Sequence, residues 1–200
     1  MPRRSTPLVA ALAALLAASS APRLAAAQAP ATPTASEAAL LDAKSAALVR
    51  DQYLADIDTV HVKLLALANA IPADKYTWRP GEGVRSISEV LMHVASEWYF
   101  YGPLSVAGKP PADFGVPRET LPKLEKITDK AAVLAELDKS WAHCKAQLAG
   151  ADPAQLTGRY KPWNATLAQA AFGMTGDQHE HLGQLIAYAR SVGVKPPWSK

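Results

Sequence analysis

Apolar residues recur at steps of three and four along four stretches of the chain, which is the spacing of one buried face on an α-helix. The pattern predicts helix 1 over 46–70, helix 2 over 86–101, helix 3 over 129–149, and helix 4 from 164–166 to 192. The apolar positions that mark the first three faces are Leu54, Ile57, Leu64, Ala68, Val90, Leu91, Val94, Val133, Leu137, Cys144 and Leu148. No stretch alternates as a half-buried β-strand does, so the pattern predicts an all-α fold.

Local signals mark where these helices begin and end. Ser86 and Glu89 have the spacing of a capping box, in which each side chain accepts a hydrogen bond from the other residue's backbone N–H. Thr128 is expected to cap helix 3, and Pro72 to end helix 1.

The order of the predicted elements indicates a four-helix bundle. Helices 2 and 3 are joined by a long crossover over 102–127, which is rich in proline and has little periodicity, so it is expected to be irregular. Gly173 and Gly176 lie inside helix 4, where glycine is unfavourable, and they predict a bend or a close helix contact.

The first residues have the layout of a secretory signal peptide. Arg3 and Arg4 precede an apolar run over 8–18, and small residues follow as far as Ala27. The apolar run is shorter than the roughly 20 residues that span a bilayer. We therefore expect residues 1–27 to be removed, with no stable membrane insertion afterwards, and the mature protein to be periplasmic or secreted.

The remaining chain divides into a leader and one domain. Residues 28–45 are rich in Ala, Pro, Thr and Ser and are predicted to be flexible, and 46–198 are predicted to form the bundle. The chain carries 21 basic and 18 acidic residues, a net charge of +3. The predicted signal peptide contains three arginines and no acid, so the mature chain is formally neutral. With no basic stripe, we expect no nucleic-acid partner.

Ionisable side chains lie on or beside the apolar faces of helices 2 and 4. His93 lies between apolar residues and one turn before Glu97. Asp177 and His181 are four residues apart, so they share a helix face and can hold one ion. Glu97 and Glu180 are candidate orienting groups. A hydrogen-bonded histidine and a solvated helix face explain the same residues, and the spacing alone leaves these interpretations open.

The other nucleophilic or ligating side chains have simpler expected roles. His61 lies on the helix 1 stripe and is interpreted as a core histidine, while His179 projects away from Asp177 and His181. Cys144, the only cysteine, lies on the helix 3 stripe and is expected to be buried and inert.

Several short segments together resemble the DinB/YfiT-like superfamily. They are Ala70 to Pro80, Gly83 to Ser86, the helix around His93, His181 to Arg190, and Gly193 to Pro197. Their order and spacing extend the resemblance over about 46–198. The resemblance implies an all-α four-helix bundle.

The resemblance also implies a divalent metal site. Its ligands would be His93, the position of Asp177, and His181, and the ion would be Zn, Ni, Fe or Mn. The commonest family pattern has histidine where this chain has Asp177. Two imidazoles and one carboxylate still form a ligand set that suits Zn²⁺ or non-haem Fe²⁺.

Two functions follow as hypotheses. The first is a metal-dependent hydrolase or, by resemblance to thiol-using relatives, a thiol transferase, acting on an unidentified small molecule. The second is a metal-free exported binding or interaction bundle that uses an inter-helix cavity or a homodimer face. Its aromatic lining would come from Trp78, Trp98, Tyr99, Phe100 and Tyr101.

Overall fold

The computed structural model describes residues 41–160 and 164–199. The predicted signal peptide, and the predicted leader as far as residue 40, lie outside the described residues. The α-helices within the described part are α1 (Ala43–Ala70), α2 (Ile87–Tyr99), α3 (Tyr101–Ser105), α4 (Pro117–Leu124), α5 (Lys130–Ala149) and α6 (Leu167–Ser191). The prediction of an all-α fold built on four long helices is confirmed.

Side-chain caps fix where the long helices begin. The predicted capping box of α2 is present, since the backbone N–H of Ser86 donates to Glu89 at 2.7 Å and that of Glu89 donates to Ser86 at 3.3 Å. Helix α1 begins three residues earlier than predicted because Asp42 accepts from the N–H of Ser45. For α5 the cap is Asp129 and not Thr128, and this part of the prediction is wrong by one residue.

The segment over 102–127 is less irregular than predicted, since it contains α3 and α4. Pro103 and Pro117 lie in the first turns of these helices, where a missing N–H removes no hydrogen bond within the helix. Helix α3 lies close against α5, because a Cβ added at Gly102 would overlap Sγ of Cys144. Helices this short carry too few positions to show a period.

A two-residue antiparallel ladder precedes α6 and was not predicted. Its strands, β1 (Arg159–Tyr160) and β2 (Ala165–Thr166), pair Arg159 with Thr166. Thr166 also caps α6 in a second capping box, with Gln169. Strands of two residues are too short for alternation to reveal them.

The core lies between the four long helices, with α1 against α5 and α6, and α2 against α5 and α6. Its fully buried side chains include Ile57, Leu64, Leu91, Trp98, Leu137 and Leu185. The two elements that carry His93 and His181, α2 and α6, therefore face each other. In the described part of the chain, no helix combines the length and the apolar character needed to cross a membrane.

Candidate metal centre

Three side chains from α2 and α6 converge on one point. His93 and Glu97 lie one turn apart on α2, and His181 projects from α6. Oε1 of Glu97 is 3.3 Å from Nε2 of His93 and 3.5 Å from Nε2 of His181. One nitrogen or oxygen atom from each residue lies within 4.8 Å of the other two. The carboxylate is thus shared by two imidazoles from facing helices.

These separations fit the ligands of one metal ion. Zinc binds nitrogen and oxygen at about 2.0–2.2 Å in tetrahedral geometry, which sets neighbouring ligand atoms about 3.4 Å apart. The two distances from Glu97 Oε1 agree with that value. The same spacing also suits histidine–carboxylate hydrogen bonds, and two imidazoles with one carboxylate form a ligand set that binds divalent transition metals.

Further contacts hold both imidazole rings. Nδ1 of His181 is 3.3 Å from Oε1 of Gln184, whose amide donates to the hydroxyl of Tyr188 at 2.9 Å. Nδ1 of His93 is 3.3 Å from Oε1 of Glu125, at the end of α4. A proton on Nδ1 of His181 satisfies its contact with Gln184, whereas Nδ1 of His93 lies near Glu125 without a hydrogen bond of good geometry. An Nδ1–H of this kind frees Nε2 to bind a metal, an arrangement typical of metal-ligating histidines.

Glu97 is a buried carboxylate whose charge is stabilised by its neighbours. Its side chain is only 5% exposed. Burial alone would raise its pKa, but hydrogen bonds with His181 and His93 lower the pKa to about 2. The same hydrogen bond raises the pKa of His181. Oε2 of Glu97 is buried and makes no hydrogen bond of good geometry, while Asp177 also helps to lower the pKa of Glu97.

Asp177 lies at the rim of this cluster. Its Oδ1 is 3.9 Å from Nε2 of His181, and its side chain is 46% exposed. Partial burial and the neighbouring Glu97 carboxylate raise the pKa of Asp177 to about 6. Asp177 and His181 do share one helix face, as predicted. The atom nearest both imidazoles, however, belongs to Glu97, which the sequence analysis had assigned an orienting role.

The spacing of Glu97 was the signal that could have identified it. Glu97 follows His93 by four residues on α2, just as His181 follows Asp177 by four on α6. Only the packing of α2 against α6 shows which of the two carboxylates lies between the rings.

The other candidate residues lie elsewhere. His61 stacks on Trp141 with ring centroids 4.0 Å apart, as expected for a core histidine. His179 contacts Asp56 of α1, and Glu180 is exposed. Cys144 is buried, and its burial raises the pKa of the thiol, as expected for an inert cysteine.

The fold and the cluster together define a class of protein: an all-α bundle with a histidine and glutamate site, between facing helices, that can hold a metal ion. A family model described as the DinB superfamily matches residues 56–185, well over half of the chain. The chain belongs to the DinB superfamily, which confirms the resemblance inferred from the sequence. No match was found among curated proteins or among solved structures.

Proposed function

We propose that His93, Glu97 and His181 hold a divalent transition metal and that the protein is a metal-dependent hydrolase or transferase. The observation that carries the proposal is the position of Glu97 Oε1, within 3.5 Å of an Nε2 atom from each of two facing helices. Zn, Ni, Fe and Mn all accept two imidazoles and a carboxylate.

Three protein ligands leave coordination positions for a substrate, as in catalytic metal sites. When bound, the ion supplies Lewis acidity to a substrate oxygen or a thiol. The imidazoles are 23% and 15% exposed in His93 and His181, so a small molecule can approach their solvent side. The Asp177 side chain is 46% exposed, and its carboxyl group, with a pKa raised to about 6, can accept a hydrogen bond from the approaching molecule when ionised and donate one when protonated.

The contacts around the site give each supporting residue a role. Gln184 hydrogen-bonds Nδ1 of His181, while Oε1 of Glu125 lies 3.3 Å from Nδ1 of His93 and accepts from Arg85 at 2.9 Å. Because Glu125 ends α4, the segment between α2 and α5 contributes directly to the site. Hydrolysis and group transfer then differ only in the nucleophile, which is water in one case and a thiol in the other.

Metal titration of matched variants tests this ligand set. Protein purified without chelators or a histidine tag is stripped and titrated with Zn²⁺ against a chromophoric chelator. Glu97→Gln keeps the size of the side chain but removes its charge, and Asp177→Asn makes the same change at the rim. His179→Ala is the control, since His179 lies on the same helix and is 43% exposed.

We expect Glu97→Gln to lose high-affinity Zn²⁺ binding. Asp177→Asn should weaken Zn²⁺ binding by about 10–100-fold, as is typical of a residue that contacts a ligand without binding the metal itself. His179→Ala should leave the affinity unchanged. Circular dichroism confirms that each variant is folded. If Asp177→Asn abolishes binding and Glu97→Gln does not, Asp177 is the third ligand and our assignment of Glu97 is wrong.

The proposal includes export. The signal-peptide pattern of residues 1–27 supports cleavage after Ala27 and a mature chain that begins at Gln28. The intact mass of the protein recovered from the periplasm or the medium tests the point. A mass that includes the first 27 residues would contradict it.

A further inference from the structure

A second cavity lies between α1 and α6, and none of the three proposed metal ligands lines it. Its volume is about 380 Å³, within the range of about 300–1,000 Å³ that small-molecule sites occupy. The residues that line it include Leu48, Val49, Tyr53, Asp56, Ala171 and Phe172. The positions 49, 53 and 56 follow one face of α1, so the cavity runs along that helix.

The outer part of this cavity is apolar and uncovered. Phe172 is 78% exposed and Leu48 is 62% exposed, although both are large apolar side chains. Val49 and Ala171 continue the apolar wall inward. An apolar surface of this kind gains free energy when a ligand's apolar body covers it.

The inner part offers hydrogen-bond acceptors that have no partner. Tyr53 is 3% exposed, and its hydroxyl makes no hydrogen bond of good geometry; the neighbouring Ser105 donates its own hydroxyl to Gly102. Oδ1 of Asp56 is 3.2 Å from Nε2 of His179, whereas Oδ2 of Asp56 is buried with no hydrogen-bond partner. Leaving such groups unpaired is costly, so they favour a ligand that donates hydrogen bonds.

The charge of the cavity selects among donors. Of the described residues that line it, only Asp56 carries a charge, and one of its oxygens has no partner. An ammonium group donates up to three hydrogen bonds and accepts none. It therefore suits the Asp56 carboxylate, while a carboxylate ligand would be repelled.

A third observation lies deeper on the same face of α6. Gln178 follows Thr175 by three residues and Ala171 by seven, so the three share one helix face. Ala171 and Thr175 line the cavity. The side chain of Gln178 is fully buried, and neither atom of its amide has a hydrogen-bond partner. The interface between α1 and α6 thus contains unsatisfied polar groups on both helices.

We propose that this cavity binds a small amine with an apolar body, its ammonium group pairing with the carboxylate of Asp56, whose side chain is 33% exposed. The apolar body lies between α1 and α6, against Val49, Ala171 and Phe172. This site has different residues and a different ligand class from the metal centre proposed above, although Tyr53 lies within electrostatic reach of Glu97.

Three probes with closely related skeletons test the proposal by calorimetric titration of the mature protein at pH 7: phenethylamine, 2-phenylethanol and phenylacetate. We expect saturable binding of phenethylamine with a Kd on the order of 1 mM or lower. Binding of the neutral alcohol should be at least about tenfold weaker, because it lacks the charge-assisted hydrogen bond. Phenylacetate should not bind.

Variants then locate the site. Asp56→Asn should abolish the preference for the amine over the alcohol, and Phe172→Ala should weaken both ligands. Asp51→Asn makes the same chemical change at an exposed position of α1 and should change neither affinity. His181→Ala should also leave amine binding intact, which separates failure of this proposal from failure of the metal site.

The proposal is overturned if phenethylamine shows no saturable binding, if the alcohol binds as tightly as the amine, or if folded Asp56→Asn keeps the preference. If Asp56→Asn does not fold, the comparison of amine and alcohol on the wild-type chain decides. Sedimentation supplies a further test, because a dimer that Phe172→Ala dissociates would assign this face to a second copy of the chain instead.

Discussion

Replacing Gly102 with alanine tests the packing that fixes the end of α2, the helix that carries His93 and Glu97. Gly102 lies in α3, directly after α2, and its Cα faces Sγ of Cys144 on α5. An added Cβ would overlap that sulfur, which is fully buried and has no open space to enter. The clash forces either α3 or α5 to move.

The expected cost follows from two opposing effects. Overpacking a core costs about 1–3 kcal/mol, and alanine returns at most about 1 kcal/mol of helix propensity relative to glycine. Because the overlapped sulfur is fully buried, the overpacking cost is about 2–3 kcal/mol, so the net loss in free energy of unfolding is about 1–3 kcal/mol, which corresponds to a Tm decrease of about 2–12 °C for a domain of this size.

A double-mutant cycle isolates the contact. Cys144→Ala removes the sulfur and should cost about 1 kcal/mol by itself, as a typical core truncation does. In the Gly102→Ala background, Cys144→Ala should instead restore stability, because the methyl group added at position 102 no longer meets a sulfur atom. Gly173→Ala is the control, since a Cβ there meets nothing within 4 Å, and it should stabilise α6 by up to about 1 kcal/mol.

Urea unfolding followed by circular dichroism gives all four values. The reasoning is refuted if Gly102→Ala is neutral or stabilising, or if the costs of Gly102→Ala and Cys144→Ala simply add in the double variant.

Two further predictions concern contacts at either side of the metal centre. Glu125→Gln should weaken Zn²⁺ binding by about 10–100-fold, because the Glu125 carboxylate lies 3.3 Å from Nδ1 of His93 and stabilises the metal-bound ring, and an unchanged affinity in chelator competition would contradict that role. Glu89→Gln should keep the capping box of α2 but lose the ion pair with Arg79. The free energy of unfolding should fall by about 0.3–1 kcal/mol as a result. Burial raises the pKa of Glu89, but Ser86 and Arg79 lower the pKa below its ordinary value. The ionised Glu89 side chain therefore stabilises the fold at pH values above that ordinary pKa, and this stabilisation is lost as the pH falls below it. The stability difference between wild type and Glu89→Gln should therefore be full at pH 7 and absent in strong acid, and a difference that grows on acidification would count against it.

Much of the fold could be predicted because it is specified locally. The four long helices follow from periodicity within each segment, and the capping box of Ser86 and Glu89 depends on residues three apart. The helices α3 and α4 could not be predicted, since their stability comes from contacts with other elements. The expectation of a bend or a close contact at Gly173 and Gly176 is wrong for the contact, because an added Cβ would meet nothing within 4 Å at either glycine.

In the candidate site, too, some residues could be predicted from the sequence and others depend on how the helices pack. His93 and His181 could be identified because each lies beside an apolar helix face and matches a segment of family resemblance. The position of Glu97 between them, and the approach of Glu125 from α4, depend on how helices pack across the bundle. No spacing within one helix encodes those distances, so our proposal of Glu97 in place of Asp177 rests on the structure.

The metal content of the mature protein tests the central claim most directly. Wild type and His181→Ala are purified without chelators or a histidine tag and compared by elemental analysis, before and after incubation with Zn²⁺, Ni²⁺, Fe²⁺ or Mn²⁺. We expect about one equivalent of a transition metal in wild type and little in His181→Ala, since one ion shares the three ligands. A wild-type protein that contains no metal and takes up none of the four ions would contradict the metal centre.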